Sequence, residues 1–218
     1  MQILAQFLFL AALGFTAFLI ARRVKLIKKT IQLGKAEDRS DNPNARLKNM
    51  LLVAFGQKKM FTRPIVAILH LFVYVGFIII NVEVLEIVLD GLLGTHRVFL
   101  KPLGSIYPFL INVFEVLAFS VLVACVIFLI RRNFIKVDRF QAQKHNEMSK
   151  WPTMDANIIL FFEICLMSAF LKMNAADSIL QSRAVGHFAE AQTGSFIISQ
   201  YIQPFLSGWS DTSLLILE

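Results

Sequence analysis

Four apolar runs, each long enough to cross a lipid bilayer as a helix, constrain this chain more than any other feature. They cover residues 3–21, 64–89, 106–130 and 156–176, and about 20 residues of helix cross a bilayer. Of the 218 residues, 56% are hydrophobic, whereas soluble domains contain about 45–50%. The sequence therefore predicts an all-α integral membrane protein with four transmembrane helices in the lipid bilayer.

Lysine and arginine residues are concentrated in two of the four segments outside these runs. Residues 21–63 contain 12 and residues 131–155 contain 6, whereas residues 90–105 and 172–218 contain 2 each. Because positively charged loops stay on the cytoplasmic side, we expect a multi-pass protein of the cell inner (cytoplasmic) membrane with its N-terminus outside. The net charge of +7 follows from this distribution and does not indicate a nucleic-acid partner.

Two segments outside the four runs also contain apolar residues. Residues 46–61 place apolar side chains on one face at helical spacing, which predicts an amphipathic segment at the inner membrane surface or a docking surface for a cytoplasmic domain. Residues 177–218 are expected outside. Within them, residues 196–206 are apolar but too short to span, so we expect a re-entrant segment or one that rests on the outer surface.

Several acidic residues lie within or next to the apolar runs. Glu83, Glu86 and Asp90 are spaced three and four apart, which puts them on one helix face near the outer membrane surface. A solvated helix end is the preferred interpretation, and a role with protons or quinone is the alternative. Glu115 and Glu163 lie closer to mid-membrane, where carboxyl groups usually face a bundle interior or a cavity.

His70 lies about 9 Å along the second apolar helix, in hydrocarbon, where an unbonded imidazole is unfavourable. Either it bonds to a protein group such as Glu163, or it is an axial ligand of a haem held between helices. Tyr74 and Phe77 continue its helix face and would line such a ring. Gly76 is small enough to admit a macrocycle or a closely packed helix.

The other histidines do not supply a second haem ligand at the depth of His70. The expected topology places His96 and His187 outside and His145 in an inner loop. The second ligand is therefore expected from residues beyond 218 or from another subunit, and a chain with one ligand is expected to retain haem weakly or not at all. The two cysteines form no Cys-x-x-Cys pair, so we expect no iron–sulfur cluster on this chain.

The stretch GQKKMFTRPIVAILHLFVYVGF, residues 56–77, resembles the second-helix signature of the respiratory nitrate reductase gamma-subunit superfamily of membrane cytochromes b. It resembles more closely the N-terminal membrane domain of heterodisulfide-reductase-related iron–sulfur oxidoreductases. The shared elements are Gly56-Gln57, Lys58-Lys59, Arg63-Pro64, His70 and Gly76-Phe77. The hydropathy layout of all 218 residues is also similar to that domain.

The resemblance implies a five-helix bundle with haem b between the second and fifth helices. Of the family's haem ligands only His70 matches, on the inner side, because Ile80 stands near the second ligand position. The resemblance also implies a fifth helix and a cytoplasmic iron–sulfur domain beyond residue 218 or on a partner. Arg63 and the nearby lysines would bind haem propionates, or would act only as positive-inside anchors.

Together these features predict a cytochrome b-like electron conduit and membrane anchor. It would pass electrons between a cytoplasmic iron–sulfur protein or domain and menaquinone or another quinone, as part of an oxidoreductase in which this segment alone is not catalytic. The expected cofactor-binding residues are His70, Arg63, Tyr74 and Phe77, with His70 as the metal ligand. The alternative is a non-redox membrane scaffold or transporter fragment in which His70 bonds to a protein group such as Glu163.

Overall fold

The computed structural model describes residues 2–35, 41–56, 64–135, 151–189, 193 and 195–217. Within these ranges the chain is helical and contains no β-strand. The α-helices of the described residues are α1 (Gln2–Gln32), α2 (Pro43–Met50), α3 (Pro64–Leu93), α4 (Leu100–Leu103), α5 (Tyr107–Asn133), α6 (Trp151–Ser182), α7 (Gln203–Leu206) and α8 (Asp211–Leu217). Short π- or 3₁₀-helical turns occupy Leu51–Phe55, Gly104–Ile106, Gly186–Ala189 and Ser199–Tyr201.

Four helical stretches in the described part of the chain are long and apolar enough to cross a membrane. They are Gln6–Gln32, Pro64–Leu93, Leu100–Asn133 and Met154–Ser182. The prediction of an all-helical, multi-pass membrane protein is therefore confirmed at the level of fold class. The fifth helix that the resemblance implies stays a prediction.

The end of α3 is set by a glycine cap. Gly94 has a φ of +68°, a left-handed conformation that glycine adopts without a steric penalty. The backbone N–H groups of Gly94 and Thr95 both donate to the carbonyl of Asp90, at 2.8 and 3.1 Å. The helix stops there, and the chain turns into a short loop, residues 95–99, that leads to α4.

One compact unit of the molecule comprises residues 1–67 and 88–95. In this unit the side-chain amide of Gln6 donates to the carbonyl oxygen of Leu92 at 3.0 Å. The ring of Phe9 lies against Gly91, where an added Cβ would approach it to 2.5 Å. These contacts join α1 to the last turns of α3. No residue of α2 or of the π-helical turn after it is buried.

The second unit comprises residues 68–87 and 96–218 and is built mainly from α5 and α6 packed along each other. Small side chains permit the close approach, as is usual between membrane helices: Ala118 and Ala124 of α5 are fully buried. The buried residues of the main core are Ile80, Tyr107, Ile111, Phe114, Ala118, Val121, Cys125, Met167, Phe170, Leu171 and Phe196.

The C-terminal part of the described chain, residues 195–217, folds back onto α5 and α6. We call it the fold-back segment. Phe196 belongs to the main core, and Ser199 is fully buried. Leu206 and Leu214 form a second buried cluster with the last turns of α6. Residues 196–206 are thus a 3₁₀ turn and the short helix α7, held against the helices by both apolar and polar contacts.

Candidate functional site

The site residues predicted from the sequence lie on α3, except Arg63, which falls outside the described residues. His70 and Tyr74 are half-buried, whereas the Phe77 side chain is 68% exposed. Of the predicted ring-lining residues, Tyr74 is therefore partly covered, and Phe77 is exposed where it can contact lipid or another chain. His145 is outside the described residues, as are Lys58 and Lys59.

Within the described part of the chain, His70 has no hydrogen bond and no ion pair. Glu163 of α6 is also half-buried, and the two side chains form no hydrogen bond with each other. The donor set at His70 is thus one imidazole on a largely apolar helix. This is compatible with the predicted role of His70 as one of two haem ligands, which stays a prediction.

Gly76 does not leave room for a macrocycle between α3 and α5. A Cβ added at Gly76 would lie 2.5 Å from Cγ2 of Val121. The sequence left two roles open for Gly76, room for a macrocycle or close packing of a neighbouring helix. The structure shows the close packing. A ring bound at His70 would therefore have to lie on another side of α3.

A second site, which the sequence analysis did not anticipate, is centred on Arg97 in the loop before α4. Its side chain is only 4% exposed. Nη1 donates to Oε1 of Glu83 at 2.9 Å, and Nη2 donates to Oδ1 of Asn174 and to Oδ2 of Asp177, both at 2.9 Å. Arg97 itself has a φ of +54°, a conformation that is uncommon for a residue with a side chain.

Glu86 extends this network on α3. Its Oε2 accepts a hydrogen bond from the Tyr107 hydroxyl at 2.8 Å, and its Oε1 accepts one from the backbone N–H of Phe99 at 2.8 Å. Nη1 of Arg97 also lies 3.4 Å from the Tyr107 hydroxyl oxygen. The loop between α3 and α4 is thereby bound to the helix that precedes it and to the start of α5.

Glu115 of α5 extends the network toward the C-terminal segment. Its Oε1 accepts a hydrogen bond from Nδ2 of Asn174 at 3.3 Å and contacts the Ser199 hydroxyl. Its Oε2 accepts one from the backbone N–H of Ile198 at 2.8 Å. This carboxylate therefore binds the fold-back segment to α5 and α6.

His96 is the part of the network nearest to the surface. Its Nε2 lies 3.6 Å from Oδ1 of Asp177, and its side chain is 15% exposed. The imidazole packs edge-on against Phe188, with ring centroids 4.5 Å apart. Asp177 also accepts a hydrogen bond from Gln181 at 2.8 Å. We call the set Glu83, Glu86, His96, Arg97, Tyr107, Glu115, Asn174, Asp177 and Ser199 the Arg97 cluster.

The Arg97 cluster corrects the interpretation of Glu83 and Glu86 as a solvated helix end. Both side chains are 1% exposed, because Arg97 and Tyr107 cover them. A sequence signal was available: two carboxyl groups one turn apart on an apolar helix, followed 14 residues after Glu83 by an arginine. Buried carboxylates need such a partner, and the pairing of Arg97 with these residues follows from that need.

Clusters of three or more metal-binding side chains are absent from the described residues. A haem held by a single histidine would not form such a cluster. His70 stays the predicted metal ligand, and the Arg97 cluster is a polar site without a metal-binding pattern among the described residues.

Comparison with known proteins gives one distant relationship. No family model matches the sequence, and no solved structure matches the chain. The chain is 27% identical over 117 residues to the probable iron-sulfur-binding oxidoreductase FadF of Bacillus subtilis (strain 168). The aligned part is 54% of this chain and 16% of that protein, so the chain spans only a small part of its relative. The similarity supports a relation to the iron–sulfur oxidoreductases.

Proposed function

We propose that this chain is a membrane anchor and electron conduit that passes electrons between a cytoplasmic iron–sulfur domain and a membrane quinone through haem b. The observation that carries the proposal is His70, half-buried in a helix that can span a membrane and without a hydrogen bond to any described residue. A polar ring without a partner is unfavourable in an apolar environment. Coordination of haem iron through an imidazole nitrogen removes that penalty.

The relative in Bacillus subtilis supports the redox part of this proposal. Its name describes a probable iron–sulfur-binding oxidoreductase, and this chain matches 16% of its length. The iron–sulfur domain of the proposed conduit would therefore lie on a continuation of this chain or on a partner. The nitrate reductase gamma-like character of the membrane domain and the quinone partner belong to the proposal as well.

In this proposal the residues that would hold the haem lie on α3. His70 would bind the haem iron, and Tyr74 and Phe77 would contribute apolar surface beside the haem. Arg63 is proposed to bind a propionate by a charge-assisted hydrogen bond. The haem would supply one-electron chemistry, whereas the protein fixes its orientation and excludes water.

The test is a reduced-minus-oxidised difference spectrum of the purified full-length protein. We expect a b-type signal that disappears in His70→Gly while the variant still inserts into the membrane. Added imidazole should restore part of the signal in His70→Gly, because it can enter the vacated ligand position. The matched control is His96→Gln, which should keep the signal. A colourless full-length protein that is folded would contradict the proposal.

The non-redox alternative requires a bond between His70 and a group such as Glu163. None of the described contacts supports it, since the two side chains form no hydrogen bond. Glu163→Gln is a second control in the same measurement: it should keep the b-type signal, because none of the described contacts joins Glu163 to His70. The 218 residues expressed alone should retain haem weakly, because they contribute one ligand.

A further inference from the structure

The Arg97 cluster contains more acidic groups than cations. Its carboxyl groups are Glu83, Glu86, Glu115 and Asp177, and each is at most 1% exposed. Arg97 is the permanent cation among them. Full ionisation would leave several like charges together in a region of low dielectric constant, which is strongly unfavourable. The cluster must therefore hold protons.

Three of the four carboxyl groups have hydrogen-bond donors at both oxygens. Glu86 accepts from a backbone N–H and from a hydroxyl. Asp177 accepts from Arg97 at Oδ2 and from Gln181 at Oδ1. Glu115 accepts from Asn174 at Oε1 and from a backbone N–H at Oε2. None of these three groups has a side-chain oxygen without a hydrogen-bond donor.

Glu83 differs from the other three. Its Oε1 accepts the hydrogen bond from Arg97 at 2.9 Å, whereas its Oε2 is buried and has no hydrogen-bond partner among the described residues. A carboxylate oxygen that is buried without a hydrogen-bond donor loses its hydration, and no protein hydrogen bond compensates for that loss. A proton on Oε2 removes the charge and leaves Oε1 as an acceptor for Arg97.

We propose that Glu83 is a proton-binding site within the Arg97 cluster, occupied by a proton at neutral pH and in exchange with water at the surface beside His96. The charged and titratable groups around it are Glu86 of α3, His96 and Arg97 of the loop, Tyr107 and Glu115 of α5, and Asp177 of α6. The proposal does not depend on haem, because every contact it uses is made by this chain.

His96 provides the link to solvent. It is the partly exposed titratable member of the cluster, and its Nε2 lies 3.6 Å from Asp177. Through this partly exposed side chain the cluster reaches the surface of the protein. If the proposed electron conduit is correct, an electron added to the bundle would favour retention of the proton on Glu83.

Infrared spectroscopy of the purified protein tests the proposal directly. We expect the C=O stretching band of a protonated carboxylic acid at neutral pH, a shift of this band in D₂O, and its disappearance when the pH is raised. The band should be absent from Glu83→Gln and present in Glu86→Gln. Because Glu163 is also partly buried, Glu163→Gln identifies any band that it contributes. A spectrum of Glu83→Gln that matches the unmodified protein would overturn the proposal.

Thermal unfolding of the same variants gives a second, independent readout. Glutamine has the shape of a neutral glutamic acid, so Glu83→Gln should retain the melting temperature of the unmodified protein. Glu86 accepts a hydrogen bond at each oxygen, so Glu86→Gln places an amide NH2 against one of these donors and should lower the melting temperature. If Glu83→Gln instead lowers the melting temperature as much as Glu86→Gln does, Glu83 is an ionised partner of Arg97 and the proposal fails. This comparison holds whether or not the preparation contains haem.

Discussion

Arg97 donates two hydrogen bonds, from Nε and Nη2, to the same carboxylate oxygen of Asp177, at 3.2 and 2.9 Å, across 80 positions of sequence. The pair joins the loop after α3 to α6, and both side chains are almost completely buried. In this geometry the positive charge of the guanidinium and the negative charge of the carboxylate compensate each other. Removing either one leaves a buried charge without its partner.

Asp177→Asn should therefore reduce the free energy of unfolding by about 3–5 kcal/mol. The matched control is Asp211→Asn, which removes the partner of Arg183 from an ion pair at 2.6 Å whose side chains are 32% and 50% exposed. An exposed pair contributes about 0–1 kcal/mol. Denaturant unfolding in detergent measures both variants, and equal losses would contradict the structural role of the buried pair.

Gly76→Ala should destabilise the packing of α3 on α5. The new methyl group would lie 2.5 Å from Val121, and overpacking of this kind costs about 1–3 kcal/mol. The gain in helix propensity, about 0.5–1 kcal/mol, is smaller, so the net effect is a loss. Gly14→Ala is the control, because nothing lies within 4 Å of its Cβ position. Adding Val121→Ala should recover part of the loss, and no recovery would contradict this contact.

Glu115→Ala should release the fold-back segment from α5. The backbone N–H of Ile198 loses its acceptor, and an unsatisfied buried group costs about 1–3 kcal/mol. The backbone amides of residues 196–202 should exchange with D₂O faster, by the factor that corresponds to this loss of free energy. Glu163→Ala is the control, because within the described chain Glu163 accepts no hydrogen bond. Unchanged exchange in Glu115→Ala would show that apolar packing alone holds the segment.

Cysteine labelling tests the orientation expected from the distribution of lysine and arginine. In a background without Cys125 and Cys165, a cysteine is introduced at Gly208 or at Lys35, both exposed in the structure. A membrane-impermeant maleimide should label Gly208→Cys in intact cells and Lys35→Cys only after permeabilisation. The reverse pattern would place the N-terminus inside.

The membrane character of this fold was predictable because it depends on composition along the chain. Runs such as residues 64–89 are apolar over a length that admits few other structures, and the structure has a helix there. The closeness of Gly76 to a neighbouring helix was one of two open alternatives. A small residue permits either a ligand or a helix, and only the positions of the other helices decide between them.

The Arg97 cluster was not predictable to the same extent. Its members come from α3, the loop, α5, α6 and the fold-back segment, so their proximity depends on tertiary packing. Glu83 and Glu86 lie where a helix end would be solvated if no arginine approached. Asp177 lies in a segment that the apolar runs assign to the connector, although α6 continues through it to Ser182.

The left-handed backbone at Arg97 has a consequence for the connection before α4. A residue with a side chain in this conformation costs about 1–3 kcal/mol unless its surroundings compensate. The compensating groups lie on three different helices, at Glu83, Tyr107 and Asp177. The conformation of the short connection before α4 therefore depends on α3, α5 and α6 being packed together, and a change that separates these helices would also release the connection.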